Sequence, residues 1–476
     1  MGVLRPRLTG ADLAVPLLGA ALTVVAAFMA VRMGAALSVG PLVVVCVLVG
    51  FVIGFIAYPH IAIAVTVVLF ALVPTLKVLV LPELGALKDL IAVAAVAAAV
   101  ILFVIERRRP DRWVLLAVAV LLALYVVNAG GGHDIAWLQG VRLVGEPLLL
   151  LLVGLMLPQP QRTFRYAMGA LVIVACLVSA YGIFQQAVGP FTLVSWGYSF
   201  DEQVRSLPTG ELRSFGTLDD PFAYAGLLVF GLVGVAFWLR RGPIAWGAGI
   251  LILIGLGFSY VRTALLVLVA LAGLQLSRWG YAVPALLVVT ATAVAGGLIL
   301  ANATGTQAHT YGVSNPSASA GAESTANVVL NGRISAWEAA LGTEPSEWLL
   351  GRGVGEVGTA AARASYSVVP TGELEEDDAQ AQAVDSGYLA TIAEVGFVGL
   401  AVLLALFARL GSLSLDAARK GSTAGWVALA LLTTLLLDAV TRATFTGFPT
   451  AFLGLLLVGI ALAAAREESD SASAGV

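Results

Sequence analysis

The feature that most constrains this chain is a succession of apolar runs, each about 20 residues long, that extends almost from end to end. As an α-helix, a run of this length spans the roughly 30 Å hydrocarbon core of a bilayer. Hydrophobic residues make up 59% of the 476 residues and charged residues only 12%. Because soluble domains are nearer one half apolar, the sequence predicts a membrane protein that crosses the bilayer many times.

Apolar windows bounded by charge, Pro or Gly predict about 12 to 14 transmembrane helices in an all-α polytopic bundle. The first window has a basic flank like that of a signal peptide but lacks a persuasive cleavage site, so we expect a retained span. The predicted helices start near Asp12, Leu37, Ile61, Leu87, Trp113, Leu143, Tyr166, Pro221, Ile244, Arg262, Tyr281, Gly387, Ala424 and Pro449.

Basic clusters such as "ERRRPDR" at Glu106 and "ARK" at Ala418 fall on one side of these helices. By the positive-inside rule this side is cytoplasmic, and both termini are then inside the cell. The chain divides into transmembrane helices over 1–301, with a shorter outer loop at 189–220, a long extracytoplasmic loop over 302–386, and the last helices with a short cytoplasmic tail over 387–476.

The long outer loop contains two segments with predicted structure. In "NGRISAWEAALG", Ile334, Trp337 and Leu341 fall on one face of a short amphipathic helix, which we expect to lie on the membrane surface. Trp337 is a candidate for stacking on a sugar, with packing as an equally good explanation. The glycines of "WLLGRGVGEVG" favour tight turns.

Arginines on the predicted outer side depart from the positive-inside trend and need a reason. They are Arg213 in "LRSFGTLDDPFAYA", Arg262 in "GFSYVRTALLVLVA", Arg333 in "NGRISAW" and Arg442 in "LLLDAVTRATF". A guanidinium donates hydrogen bonds in pairs to phosphate oxygens, so arginines directed at one outer mouth predict an anion site.

Each of these arginines also has a structural explanation. Arg262 would reach the lipid headgroups, Arg213 would pair with an aspartate of its own loop, and Arg333 would only solvate its helix. For Arg442 an ion pair with Asp438, one helical turn earlier, is the preferred interpretation.

Other kinds of site have less support. His60, His133 and His309 lack the spacing of metal ligands and have no cysteine nearby, so no metal site is predicted. The "GRGVGEVG" run has neither the strand nor the lysine of a nucleotide-binding loop. We therefore predict no cofactor, no soluble nucleotide-sugar donor and no nucleic-acid partner.

The acidic loop ends in "VDSGYLATIAEVG", where carboxylates and a tyrosine lie at the start of an apolar helix. Asp385 directly precedes the predicted span and suits either a helix N-cap or a base that deprotonates an acceptor hydroxyl. Tyr388, one turn on, suits substrate positioning. Glu394 lies about two turns inside the span without a cationic partner that the sequence identifies, and no catalytic role is assigned to it.

Several segments together resemble the O-antigen ligase and O-antigen polymerase family of membrane glycosyltransferases. The matching segments occur in the family's order: "RSFGTLDDPFAYAGLL", "SYVRTALLVLV", "GRISAWEAAL" with "LLGRGVGEVG", and "DSGYLATIAEVGFVGLAVLL". The resemblance implies a GT-C-like fold and a metal-independent enzyme of the cell membrane. Such an enzyme takes a glycan from a polyprenyl-pyrophosphate carrier at the outer face and passes it to a hydroxyl on another glycan or lipid-linked glycan.

The resemblance also assigns roles to individual residues. Arg213, Arg262 and Arg333 match arginines that are held to grip the phosphates of the donor. Where lipid A core ligases have a His-Asn-x-Tyr-Leu motif, this chain has "DSGYL" from Asp385, so a carboxylate replaces the histidine. This departure favours a polymerase, or a ligase of another glycan, over a lipid A core ligase.

The rival function class is a transporter, for example a flippase of lipid-linked glycans, in which the same arginines would bind a headgroup in transit. Its expected signs are internal repeats and helices broken in mid-membrane. No internal repeat is evident in the sequence, and the unusual charges gather at one face. The sequence therefore favours the enzyme, without separating polymerase from ligase.

Overall fold

The computed structural model describes residues 36–106, 110–129, 135–200, 203–207, 211–239, 242–281, 345–356 and 386–473. These residues are mostly helical. The predicted spans that start near Asp12 and Tyr281 lie outside, or almost wholly outside, this part of the chain. A helix occurs at each of the other predicted positions.

The helices of the described residues are numbered in chain order. They are α1 Ala36–Ala57, α2 Pro59–Leu79, α3 Leu87–Glu106, α4 Arg112–Val127, α5 Ile135–Met156, α6 Pro160–Ser195, α7 Pro221–Val233, α8 Pro243–Gly257, α9 Arg262–Arg278, α10 Pro345–Leu350, α11 Gly387–Arg419, α12 Thr423–Asp438 and α13 Thr450–Ser473. Single turns of other helix types occur at Pro82–Ala86, Gly234–Trp238 and Thr444–Thr446.

Among the described residues, 7 helices are long and apolar enough to cross a membrane. They are Pro59–Leu79, Pro82–Ile105, Ile135–Met156, Pro160–Ser195, Pro221–Trp238, Gly387–Arg419 and Thr450–Ser471. Shorter apolar helices accompany them, including α4, α8 and α12. The prediction of an all-α, membrane-embedded protein is confirmed at this level.

Helix α13 lies at the centre of the bundle, and its residues from Thr450 to Leu462 are almost all buried. It packs against α5, where Gly154 and Gly459 face each other. A β-carbon on Gly154 would lie 2.8 Å from the backbone nitrogen of Ile460. Small residues at this crossing therefore let the two backbones approach closely, as is common between membrane helices.

The start of α5 differs from the prediction. The helix begins at Ile135 rather than near Leu143, because its first turns contain charged residues that ended the apolar window. Arg142 Nη2 lies 2.5 Å from Asp89 Oδ1, and Arg142 Nε lies 3.1 Å from Glu146 Oε1. These ion pairs compensate the charges and allow the helix to include them.

The segment from Gly189 onward contains local structure that the sequence did not predict. Helix α6 breaks at Gly189 (φ 77°) and continues as a short helical piece to Ser195. A two-stranded antiparallel ribbon follows, in which β1 (Arg205–Ser206) pairs with β2 (Leu212–Arg213). Strands of two residues are too short to produce an alternating pattern that sequence analysis detects.

Candidate functional site

The tight reversal between α8 and α9 positions Arg262, one of the predicted site residues. Ser259 Oγ donates to Leu256 O at 2.6 Å and accepts from Val261 N at 3.2 Å. Tyr260 has a positive φ of 53°, which is uncommon for a residue with a bulky side chain. The reversal places Arg262 as the first residue of α9, with its side chain exposed.

Strand β2 and the residue after it are hydrogen-bonded to this reversal. Arg213 Nε donates to Ser259 O at 3.3 Å, and Ser214 N donates to Phe258 O at 2.9 Å. Beside them, burial and the neighbouring Glu211 carboxyl raise the pKa of the Tyr260 hydroxyl. The fold therefore anchors Arg213 on the turn that leads into Arg262, and two of the predicted donor-binding arginines share one local structure.

The first turn of α7 brings a further arginine to Arg213. The guanidinium carbon of Arg213 lies 4.9 Å from the centre of the Phe222 ring, and that of Arg442 lies 5.9 Å from it. Arg442 Nη1 also donates to Phe222 O at 2.5 Å. The electron-rich ring face favours both cations, so two guanidinium groups meet at the N-terminal end of α7, where the carboxylates of Asp220 and Asp438 also lie.

The preferred interpretation of Arg442 is confirmed. Its Nη1 lies 3.3 Å from Asp438 Oδ2, and the Asp438 side chain is only 9% exposed. Thr444 Oγ1 donates to the same carboxylate oxygen at 2.7 Å. Arg442 thus compensates a buried negative charge at the end of α12.

The aspartates of the Arg213 loop have identifiable roles of their own. Asp219 forms an ion pair with Lys77 at the end of α2, at 2.7 Å. Asp220 is the N-cap of α7, and its Oδ1 accepts from Phe222 N and Ala223 N, both at 2.7 Å. Together they fix the loop at the ends of α2 and α7.

The start of α11 is hydrogen-bonded to the residues that follow α12, at the same end of the bundle. Gly387 N donates to Ala439 O at 2.9 Å and to Arg442 O at 2.8 Å. Tyr388 is half-buried, with its hydroxyl donating to Leu436 O at 2.8 Å. Because the Tyr388 proton is used in this bond, a substrate that Tyr388 positions would have to donate a hydrogen bond to the Tyr388 oxygen.

A cluster of charges at this end was missed by the sequence reasoning. It consists of Lys88 and Asp89 in the first turn of α3 and of Arg142 and Glu146 on α5. The Lys88 ammonium lies 4.9 Å from the centre of the Phe448 ring. The spacing of Arg142 and Glu146, one helical turn apart, was the signal that could have revealed it.

The prediction of tight turns in the "GRGVG" segment is confirmed. Gly351, Gly353 and Gly355 all have positive φ, between 82° and 118°. This segment follows α10 and packs against α11, where Arg352 N donates to Ala393 O at 2.8 Å. The glycines are needed because L-residues with side chains rarely adopt this conformation.

Three of the predicted site residues, Arg333, Trp337 and Asp385, lie outside the described residues. Within the described ranges, no group of three or more His, Cys, Asp or Glu side chains is arranged to hold a metal ion. The described part of the predicted site therefore consists of Arg213, Arg262 and Tyr388.

No protein-family model matches the chain, and no curated protein matches it.

Proposed function

We propose that this protein is a membrane glycosyltransferase of polymerase or ligase type. It transfers a glycan from a polyprenyl-pyrophosphate carrier to a hydroxyl on a glycan or lipid-linked glycan. The reaction takes place at the extracytoplasmic face of the cell membrane, and both termini lie in the cytoplasm. This orientation rests on the positive-inside rule.

The observation that carries the proposal is the shared anchoring of Arg213 and Arg262. They are distant in sequence, yet the bond from Arg213 Nε to Ser259 O brings them to one turn at the end of the bundle. Arg262 is exposed there and forms no ion pair within the described residues. A cation held on a rigid turn without a carboxylate partner suits a phosphate ligand.

The proposed chemistry needs electrostatics more than covalent catalysis. A pyrophosphate is a good leaving group once its charge is compensated, so Arg213, Arg262 and Arg333 would stabilise the charge that develops on it. Asp385 would take the proton of the acceptor hydroxyl as that oxygen attacks the anomeric carbon. One displacement then inverts the configuration at that carbon.

One structural observation favours the alternative, a transporter of lipid-linked glycans. Helix α11 has non-helical backbone at Val395 and Gly396, and broken helices are typical of transporters. The cavity beside this break, however, has a volume of only about 30 Å³, far below the roughly 300–1,000 Å³ of small-molecule sites. The break is therefore better explained as a packed feature of the bundle.

Reconstitution into liposomes with a defined polyprenyl-pyrophosphate glycan tests the proposal. We expect the glycan to appear on a new hydroxyl, and its attachment to carrier or to another acceptor distinguishes polymerase from ligase. Transbilayer movement of the intact donor, without a new glycosidic bond, would instead identify the transporter. The N-cap position of α11 is Ser386 rather than Asp385. Asp385→Asn keeps the size of the side chain but removes the base, so unchanged transfer by this variant would refute the role of Asp385.

A further inference from the structure

A buried carboxyl group that the proposed reaction does not use lies inside α11. Glu394 is only 3% exposed. It follows Gly387, the first residue of the helix, by about two turns or roughly 10 Å along the axis. Ionisable side chains at such depth are rare in membrane helices and usually functional.

The backbone around Glu394 is held firmly. The helix is interrupted at the next two residues, Val395 and Gly396, and Gly396 has a φ of 68°. Asn128 Nδ2 at the end of α4 donates to Glu394 O and to Leu350 O, both at 2.6 Å. The carbonyl groups freed by the break are therefore satisfied by a side chain and by the segment after α10.

The carboxyl group itself is incompletely satisfied. The hydroxyl of Tyr125, on α4, lies within hydrogen-bonding reach of the Glu394 carboxyl group. The same hydroxyl also lies close to Thr391. Glu394 Oε2 is buried and has no hydrogen-bond partner among the described residues. No described cation forms an ion pair with Glu394.

Charged groups on the neighbouring elements have other partners. On α5, Glu146 pairs with Arg142, and at the end of α12, Asp438 pairs with Arg442. The segment of α10 contributes Glu347 and Arg352, which have contacts of their own. Helix α13 faces the carboxyl region with the apolar side chain of Leu455.

A cavity lies beside the carboxyl group. Its volume is about 30 Å³, which is room for one or two water molecules. Its polar lining consists of Glu394, Tyr125, Thr391 and Thr446, and it extends to Gly387. Gly387 is the first residue of α11 and donates to Arg442 O, so the cavity reaches from Glu394 to the start of this helix.

We propose that Glu394, Tyr125 and Thr391 form a proton-binding site inside the bundle, which exchanges its proton through water in this cavity. An ionised carboxylate without a cation is strongly disfavoured in an apolar interior, so the neutral acid is the stable form. Exchange moves one proton between Glu394 and a cavity water, and no bond to carbon changes.

A metal cation is a weaker match to the same group. Hard cations take about six oxygen ligands. The carbonyl oxygens of Glu394 and Leu350 already accept from Asn128, and that of Ala393 accepts from Arg352 N. Few oxygens remain beside the carboxyl and the hydroxyls of Tyr125 and Thr391, whereas a proton needs only the carboxyl.

Infrared spectroscopy of the whole protein in lipid tests this inference. We expect a C=O stretching band of a protonated carboxylic acid at neutral pH, lost in Glu394→Gln and shifted in frequency in Tyr125→Phe. Transfer to D₂O should shift the band within minutes, because the proton exchanges through the cavity. A band that Glu394→Gln leaves unchanged, or one that does not respond to D₂O, would overturn the proposal.

Asp438→Asn provides the matched control. Asp438 is also buried but is paired with Arg442, so this variant should keep the band. Adding sodium ions should leave the band intact, and its loss on sodium addition would identify a cation site instead. These measurements do not depend on glycan transfer, so the proposed function and the proton site can fail separately.

Discussion

At the scale of single residues, the arginines at one end of the bundle serve different purposes. Arg442 compensates Asp438 and contacts Phe222, and this arrangement explains it without a ligand. Arg262 has an exposed side chain and no carboxylate partner in the described part of the chain. Arg213 is intermediate between Arg442 and Arg262, because it donates to Ser259 O and contacts the Phe222 ring. We therefore expect different responses to substitution.

Arg262→Lys keeps the charge but removes the planar fork of donors. If Arg262 binds the donor pyrophosphate in a bidentate way, kcat/KM should fall about 10- to 100-fold, which corresponds to a charge-assisted hydrogen bond of about 1.5–3 kcal/mol. Arg278→Lys, at the opposite end of α9, is the control and should leave kcat/KM unchanged. Full activity in Arg262→Lys would exclude bidentate binding.

Arg442→Met should destabilise the fold, because it leaves the carboxylate of Asp438 buried without its partner. The expected loss is about 3–5 kcal/mol, and adding Asp438→Asn should restore part of it. Thermal unfolding in detergent, followed by tryptophan fluorescence, measures both effects. Equal stability of the single and double variants would show that the unpaired carboxylate of Asp438 does not cause the loss.

Asp111, the N-cap of α4, should make stability depend on pH. Hydrogen bonding from Arg409, whose Nη2 lies 2.7 Å from Asp111 Oδ2, holds the pKa of this carboxyl below its ordinary value. The pKa is lower in the folded state, so the stabilisation is fully present above the unfolded pKa of about 3.9 and is lost as pH falls through the folded pKa.

The measurement compares the melting temperatures of the wild type and Asp111→Asn as a function of pH. Their difference should stay constant from about pH 8 to pH 5 and shrink below about pH 4. Arg409→Met should reduce the pH dependence in the same way. A difference that persists unchanged at low pH would show that the charge of Asp111 does not stabilise the fold.

At the scale of elements, the break in α11 is the feature most closely tied to the packing of α10. A β-carbon on Gly396 would lie 2.6 Å from Gly351 N, and the φ of 68° at Gly396 disfavours any side chain. Gly396→Ala should therefore lower the folded yield and the melting temperature. Gly411→Ala, at an open position of the same helix, should have no such effect, and equal behaviour of the two variants would contradict this account.

The positions of the helices in the described residues could be predicted from apolar run length, but their ends could not. Helix α5 began earlier than expected because ion pairs between α3 and α5 compensate charges that ended the apolar window. The break at Gly396 was missed because a glycine within an apolar run does not reveal that another segment packs against it.

The site could be predicted only where the signal lies in charge or in spacing along the sequence. Positive charge on the outer side identified Arg213 and Arg262 as unusual, and the spacing of Asp438 and Arg442 identified their ion pair. The contact of Arg213 with Ser259 was not predictable, because it depends on a ribbon of two-residue strands. Asp385, Arg333 and Trp337 lie outside the described residues, and their roles stay predictions.

At the scale of the whole molecule, exposed arginines and a buried carboxyl group occupy different parts of the helical bundle. Arginines gather at one end of the bundle, where a charged donor would arrive from the membrane surface. The buried carboxyl of Glu394 lies about two turns inside α11, beside a small cavity that extends to the same end. The exposed Arg262 at this end suits the binding of a charged group at a membrane face, whereas the buried Glu394 suits proton exchange inside the bundle.

Glycan transfer from the carrier is measured by the polyprenyl pyrophosphate that the protein releases in liposomes supplied with the lipid-linked glycan. We expect about one free carrier pyrophosphate for each glycan transferred, because the proposed displacement breaks one glycosyl–phosphate bond as it forms one glycosidic bond. This release should require Arg262 and should match the number of new glycosidic bonds formed. Passage of the intact lipid-linked glycan across the bilayer, with no carrier pyrophosphate released, would show that the protein is a transporter and not a glycosyltransferase.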